Sequence, residues 1–296
     1  MRVVVSGSHG LIGSALVDAL TAGGHSVTRL VRGAPGEGEA AWDPRAGRVD
    51  GAALEGHDAV VHLAGAGIGA HRWTAAYKAE IRDSRVRATQ VLVEALAGLD
   101  DRPRVLASAS AVGVYGDRGD EELTESSPAG TGFLAEVVRE WEGAARRATE
   151  AGIRVAHLRS GVVLSPRGGA LRQQLPLFRL GLGGRLGSGR QYLSWISLPD
   201  EVAAILYVLG SDDLEGPVNL TAPAPVTNAE FTRTLGAALG RPAFLVVPPA
   251  ALWVRFGREM TTEMLVAGQR VLPSRLQAGG FAFRHPELAA ALPQLL

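Results

Sequence analysis

The chain opens on an apolar run, Val3-Val4-Val5, held between Arg2 and Ser6, which has the length and bounds of a buried strand. Leu11 to Ala22 then carries apolar residues at helical spacing, and Gly23-Gly24 stops it. Ser26 to Val31 reads as a second strand, and Asp58 to Ala64 as a later one ended by Gly65. Arg72 to Leu99 has the pattern of one long helix or two abutting ones. Arg104 to Ala107 is strand-like, Thr131 to Ala151 helical, and Ile153 to Leu158 strand-like again. Strands alternating with helices predict a parallel sheet covered on both faces. From about Ser165 the rhythm changes: Gly168, Gly169, Gly181, Gly183, Gly184, Gly187 and Gly189 crowd together and the segments shorten. The expected organisation is a core over 1–164 and a smaller lobe made mainly from 165–296, with a stretch around 190–225 returning to the core.

The loop between the first strand and first helix reads Gly7-Ser8-His9-Gly10-Leu11-Ile12-Gly13. Its placement gives the glycines a physical role. Gly7 suits a tight turn, Gly10 leaves room for a pyrophosphate against the backbone, and Gly13 lets the helix pack close to the strand. The helix start adds free N–H groups and a positive dipole end for phosphates. The expected fold class is therefore α/β, a Rossmann-type doubly wound parallel sheet with a smaller C-terminal substrate lobe.

An NAD-preferring site of this kind has an acid at the end of the second strand to grip the ribose 2′-hydroxyl. Here the strand reads Ser26-Val27-Thr28-Arg29-Leu30-Val31 and runs into Arg32. A guanidinium suits a 2′-phosphate, so the expected cofactor is NADP(H), with Arg32 as its reader and Arg29 the weaker candidate.

Composition narrows the alternatives. Thirty basic residues balance thirty acidic ones, which leaves no global field to draw nucleic acid or an anionic membrane. There is no cysteine, so thiol nucleophiles and cysteine-held metals are excluded. The seven histidines show no metal-ligand spacing, and no metal is expected. The N-terminus lacks the long apolar core of a signal peptide, and no run approaches a membrane span. The expectation is a cytoplasmic protein acting on a small-molecule substrate, as monomer or homodimer.

The GxxGxxG spacing resembles the short-chain dehydrogenase/reductase family, and more closely its extended branch of sugar-nucleotide epimerases and dehydratases. Other segments share the resemblance: His62-Leu63-Ala64-Gly65, Ser108 to Asp117, Leu158 to Leu164, and Trp195 to Val202 with Asp200 near a helix start. The resemblance implies that Leu63, Ala64, Gly65 and Ser108 border the cofactor. It also implies a Tyr-x-x-x-Lys pair at the start of the helix after the fifth strand, where the tyrosine is the general acid/base. This chain has Phe133 and Val137 there, and neither can move a proton. The family's usual Asn on the preceding helix is replaced near Arg85. These departures resemble an atypical "epimerase family" oxidoreductase subgroup with a conserved C-terminal segment of unknown function. The tail matches it at Val247-Pro248-Pro249, Gly257-Arg258-Glu259-Met260, Gln269 to Pro273 and Ala278 to Phe281.

A reaction therefore needs its proton from elsewhere. Ser110, Tyr115 and Glu136 are the catalytic candidates. Ser110 or Ser108 can hydrogen-bond a substrate oxygen. Tyr115 is a proton donor or else a core tyrosine. Glu136 is an acid/base if burial raises its pKa, or else a capping or salt-bridging glutamate. Lys78, Arg82 and Arg85 share a helix face, either as an anion site or as a solvated basic face. Arg159 is a substrate contact or a fold-internal ion pair. Trp73, Trp195 and Tyr192 line a pocket or fill the core, and Arg190 and Gln191 are substrate-loop candidates. The functional expectation is an NADP(H)-binding oxidoreductase or epimerase-like enzyme. Its rival is a non-catalytic NADPH-binding redox sensor or regulator.

Overall fold

The computed structural model describes residues 1–296. Its centre is an eight-stranded sheet. The strands are β1 (Arg2–Ser6), β2 (Ser26–Val31), β3 (Glu39–Asp43), β4 (Arg48–Val49), β5 (Ala59–His62), β6 (Val105–Ala111), β7 (Arg154–Ser160) and β8 (Gly216–Leu220). Their spatial order is β8-β7-β6-β5-β1-β2-β3-β4. All neighbours are parallel except the short β4, which runs antiparallel to β3. The chain order reverses between β1 and β5, the topological switch point at which sheets of this kind bind ligands.

The two faces of the sheet are sorted by strand alternation. Val3, Val5, Val61, Ala107 and Leu158 pack against α1 (Leu11–Ala22) and the helix Leu198–Gly210. Val4, Val60, Leu106 and Val155 face the other way and meet α2 (Ala75–Ala97) through Ala88, Leu92 and Val93. α2 starts later than its hydrophobic pattern suggests, because Thr74 caps it by accepting from Tyr77 N–H while Trp73 turns to Ile68 O. The next helical stretch splits at Ala145 into α3 (Phe133–Ala144) and a short helix Arg146–Glu150. Strand β3 has no counterpart in the sequence reading. It has one buried alanine and one buried tryptophan, Ala40 and Trp42, after a glycine-rich loop.

Past β7 the chain builds a second, smaller cluster around Leu171, Phe178, Trp195, Phe231 and Leu292. Between its segments, β8 returns to pair with β7 at the sheet edge. No helix is long and apolar enough to cross a membrane.

Candidate dinucleotide and substrate site

The glycine loop lies at the C-terminal end of β1. Gly7 adopts φ +69°, and a Cβ there would come within 2.8 Å of the Leu63 backbone at the end of β5. A Cβ on Gly13 would lie 2.2 Å from Gly7 O, so the first turn of α1 sits directly on the loop. A Cβ on Gly10 meets only Gly7 O, at 3.2 Å. Two of the three glycines are thus needed for the fold, while Gly10 leaves one side of the loop open. The first helical bond is Ser14 N–H to Gly10 O, and the N–H groups of Leu11, Ile12 and Gly13 carry no intrahelical partner. No side chain caps α1 and no acid lies in its first turn. This cradle fits a diphosphate in shape and electrostatics. Ser8 is buried in the loop and its hydroxyl lies 3.4 Å from His9 Nδ1, with His9 itself exposed.

The adjoining segment is fixed by Ser6. Its hydroxyl oxygen accepts from Leu63 N–H at 3.1 Å and Ala64 N–H at 3.4 Å, and the hydroxyl shares a hydrogen bond with His62 Nδ1 at 2.6 Å. Burial lowers the His62 pKa to about 4, which keeps the ring neutral. Leu63, Ala64 and Gly65 therefore leave the sheet at a defined height beside the glycine loop. Arg32 follows β2 on the surface and makes no side-chain hydrogen bond or ion pair. No acid stands at that strand end.

Ser6, His62, Ser108 and His157 stand in register across β1, β5, β6 and β7. Residues in register on parallel strands point to the same face, here the one covered by α2 and α3. Ser108 Oγ, His62 Nε2 and His157 Nδ1 are buried without a hydrogen-bond partner. Two residues further along, Ser110 donates to Glu142 Oε1 at 2.6 Å. Arg159, opposite Ser110, grips the same carboxylate with Nε to Oε1 and Nη2 to Oε2, both at 2.8 Å. Its Nη1 donates to Tyr115 OH at 3.0 Å, and Tyr115 donates to Asn219 Oδ1 at 2.8 Å. Burial alone would push the Glu142 carboxyl up; the Arg159 guanidinium and Ser110 hydroxyl outweigh it and hold it below the ordinary carboxylate range.

This network decides several roles. Tyr115 is fully buried, and its hydroxyl is committed both as donor and as acceptor. Burial pushes its pKa up, and in this fold its hydroxyl is used within the core network. Arg159 is the fold-internal ion pair. Glu136 is exposed on α3, in a cleft shared with Lys78, Arg82, Glu259 and Glu263, and does not join Ser110. Ser108 and Ser110 are brought together on β6, one unpaired and one engaged by Glu142. Glu142 and Asn219 were not legible as functional residues, since only the folded chain brings them to Arg159 and Tyr115.

The two positions of the missing pair are occupied by packing. Phe133 and Val137 are buried against Ile81 of α2. Trp73 stands edge-on to the Phe133 ring at 5.1 Å between centroids, and Lys78 Nζ lies 4.4 Å from its centre. The C-terminal segment closes over this corner. Glu263 accepts from Phe133 N–H at 3.0 Å and Leu134 N–H at 2.9 Å, capping α3, and Glu259 pairs with Lys78 at 2.6 Å. Gln191 is held by Leu186 O and Leu265 O, and Trp195 is core, so both serve the lobe's own structure, whereas Arg190 is exposed.

Residues 3–220 match the sequence profile described as the NAD dependent epimerase/dehydratase family. The chain belongs to that family. It is the one that the glycine spacing and strand motifs resemble. Residues 247–295 match a second profile, "Domain of unknown function (DUF1731)", over the stretch that holds the tail motifs. Among family members, the epimerase family protein Mb2239 of Mycobacterium bovis is 51% identical over 98% of this chain and 96% of its own. The crystal structure of human epimerase family protein SDR39U1 (isoform 2) with NADPH superposes with TM-score 0.92 at 39% identity, covering 100% of this chain and 99% of that one. The structure of the nucleoside-diphosphate sugar epimerase from Corynebacterium glutamicum gives TM-score 0.84 at 38% identity, covering 100% of this chain and 58% of that one.

Proposed function

We propose that this chain binds NADP(H) across the C-terminal edge of the sheet and acts as an oxidoreductase on a small polar substrate held between that edge and the C-terminal lobe. The observation that carries the cofactor choice is Arg32, exposed and unpaired at the end of β2 where no acid stands. The NADPH in the human relative supports it. The first-turn N–H groups of Leu11, Ile12 and Gly13 would hold the diphosphate beside Gly7 and Gly10, with Ser8 and His9 bordering it. Leu63, Ala64 and Gly65 would form the wall beside the adenine half, and Ser108 the floor. NADP(H) supplies or takes up a hydride when bound.

The chain's own part in such a reaction is positioning and a proton path. Ser110 is the hydroxyl for this role: its proton is directed at Glu142, and its oxygen can accept from a substrate hydroxyl. The test of cofactor choice is calorimetric titration with NADPH and NADH. The expected result is NADPH at least tenfold tighter, about 1.4 kcal/mol, with Arg32→Ala removing most of the difference. Equal affinities in the unmodified protein would end this reading.

One observation favours a second reading, an NADPH-binding sensor without turnover. Both positions of the family's proton-transfer pair are apolar and buried. A panel of aldehydes, ketones and alcohols separates the two. Turnover that falls about 10²-fold in Ser110→Ala supports the enzyme; no turnover with any of them supports the sensor.

A further inference from the structure

The even balance of charge over the whole chain conceals a local excess. Two stretches of the C-terminal lobe, 165–190 and 231–258, hold nine of the thirty basic residues, all arginine, and none of the thirty acidic ones. None of the nine guanidiniums takes part in an ion pair. Eight of them are exposed and Arg185 is half-buried. The same two stretches hold eight of the nine large apolar side chains that the fold leaves exposed. Leu180 follows the helix Gly169–Arg179, Phe244 precedes the strand Leu245–Val247, and Trp253 and Val254 lie on the helix Pro249–Phe256.

The two stretches lie side by side. Strand Gly184–Leu186 pairs with Leu245–Val247, and the two form a sheet of their own with no third strand. A Cβ on Gly181 would meet Pro242 at 3.5 Å, and one on Gly187 would meet Pro249 at 3.4 Å. Arg179, Arg185, Arg241 and Arg255 alternate with the exposed apolar residues along these segments. A contiguous exposed apolar patch marks a surface that meets something else. A second copy joined about a two-fold axis would set the same arginines against one another with no carboxylate between them. A nucleic-acid backbone would suit the guanidiniums but offers nothing to the apolar side chains set among them. A groove for a peptide would shield its apolar residues. Here Leu180, Phe244 and Val254 are 72%, 77% and 81% exposed, so they project, and the two main cavities are lined by none of them.

We propose that this face of the C-terminal lobe docks the protein on an anionic lipid bilayer. Projecting apolar side chains enter the boundary between headgroups and acyl chains. The arginines among them keep their heads at the lipid phosphates while their stems lie along apolar surface. Anionic headgroups supply the counter-charge that this lobe lacks. Trp253 suits the same boundary, since it joins an apolar ring to a polar N–H. The attachment is peripheral, because no helix is long and apolar enough to cross a membrane. It depends neither on the cofactor nor on turnover.

The test is flotation of the purified protein with vesicles of equal parts phosphatidylglycerol and phosphatidylcholine, against vesicles of phosphatidylcholine alone. Binding to the anionic vesicles is expected to be at least about tenfold tighter and to weaken as salt is raised. Arg241→Gln with Arg255→Gln should erase that preference. Phe244→Ser with Val254→Ser should weaken binding to the anionic vesicles about tenfold or more, with an unchanged melting temperature. Of the five tryptophans only Trp253 is exposed. Brominated acyl chains in the anionic vesicles should therefore quench part of the fluorescence, and Trp253→Phe should abolish that quenching. Equal affinity for the two vesicles, or binding to neither, would overturn the proposal with the unmodified protein alone. Anionic binding without quenching would overturn the insertion of the apolar side chains. A DNA duplex bound more tightly than the anionic vesicles would assign the face to nucleic acid. A dimer in sedimentation that Phe244→Ser with Val254→Ser dissociates would assign it to a second copy.

Discussion

Glu142 and Arg159 meet edge to edge, both of their hydrogen bonds at 2.8 Å, with little of either side chain exposed. The pair joins α3 to β7, and through Ser110 and Tyr115 it joins both to β6 and to Asn219 of β8. A buried pair of this kind is costly to break from one side, because the remaining charge is left without a partner. Arg159→Met should lose about 3–5 kcal/mol of stability in urea unfolding, and Glu142→Gln somewhat less. The double variant should be more stable than Arg159→Met alone. Strictly additive losses would show that the two side chains do not depend on each other.

The glycines of the first loop should separate folding from binding. Gly13→Ala places a Cβ 2.2 Å from Gly7 O and should unfold the protein or lower its melting point sharply. Gly10→Val has no such clash with Leu63 or with the helix. It should fold with near-normal circular dichroism and lose NADPH binding by a hundredfold or more, since its side chain occupies phosphate space. Near-normal binding in a folded Gly10→Val would place the diphosphate elsewhere.

Restoring the family's pair should not restore the family's chemistry. Phe133 and Val137 are packed against Ile81, so Val137→Lys buries an ammonium in an apolar cluster. That costs several kcal/mol or drives the lysine to its neutral form. Phe133→Tyr with Val137→Lys is expected to be less stable than the unmodified protein and to show no epimerisation of UDP-glucose in a coupled assay. Epimerisation by the unmodified protein would show that the proton moves without either residue.

Glu201 gives a pH signature. It is fully buried beside Ser160, which donates to Oε1 at 2.6 Å, and its Oε2 has no partner. Burial raises its pKa to about 8, against the opposing hydrogen bond from Ser160. The folded state therefore holds a proton that the unfolded chain releases above its ordinary carboxylate pKa of about 4.3. Stability is lost as pH rises between these two values, at about 1.4 kcal/mol per pH unit. Glu201→Gln keeps the shape and the acceptor for Ser160 without the titration. Its stability advantage should be near zero at pH 4, grow with pH, and level off above about pH 8. A gap that does not change with pH would mean that Glu201 is ionised in the fold.

The parts of this fold legible in the sequence are those set by local rules. The glycine loop, α1 and β2 follow from period and turn chemistry within thirty-odd residues. Strand β3 escaped because Glu39-Ala40-Ala41-Trp42-Asp43 has no β-branched residue and no apolar/polar alternation, although its burial alternates, and what holds it is its pairing with β2. The catalytic candidates mixed the two situations. Ser108 and Ser110 sit on a strand whose place is set by pattern, whereas Tyr115 and Glu136 depended on which neighbours the far half of the chain would bring. Asn219 and Arg159 bury Tyr115's hydroxyl, and the turn of α3 leaves Glu136 in solvent. Arg85 was half legible. Its spacing from Lys78 and Arg82 suggested a basic face, but the apolar stripe Ile81, Ala88, Leu92 runs through it and assigns it inward.

The capping of α3 by Glu263 has a consequence for the order of events at birth. The carboxylate lies 130 residues after the Phe133 N–H it accepts from. Asn219 of β8 also waits for Leu272 O, a partner 53 residues later. At a synthesis rate of about 5–20 residues per second, the first turn of α3 stays uncapped for roughly 6–26 seconds after it is made. The nucleotide-binding half therefore leaves the ribosome with a bare helix end and an open sheet edge, and its last fastenings arrive with the final eighth of the chain.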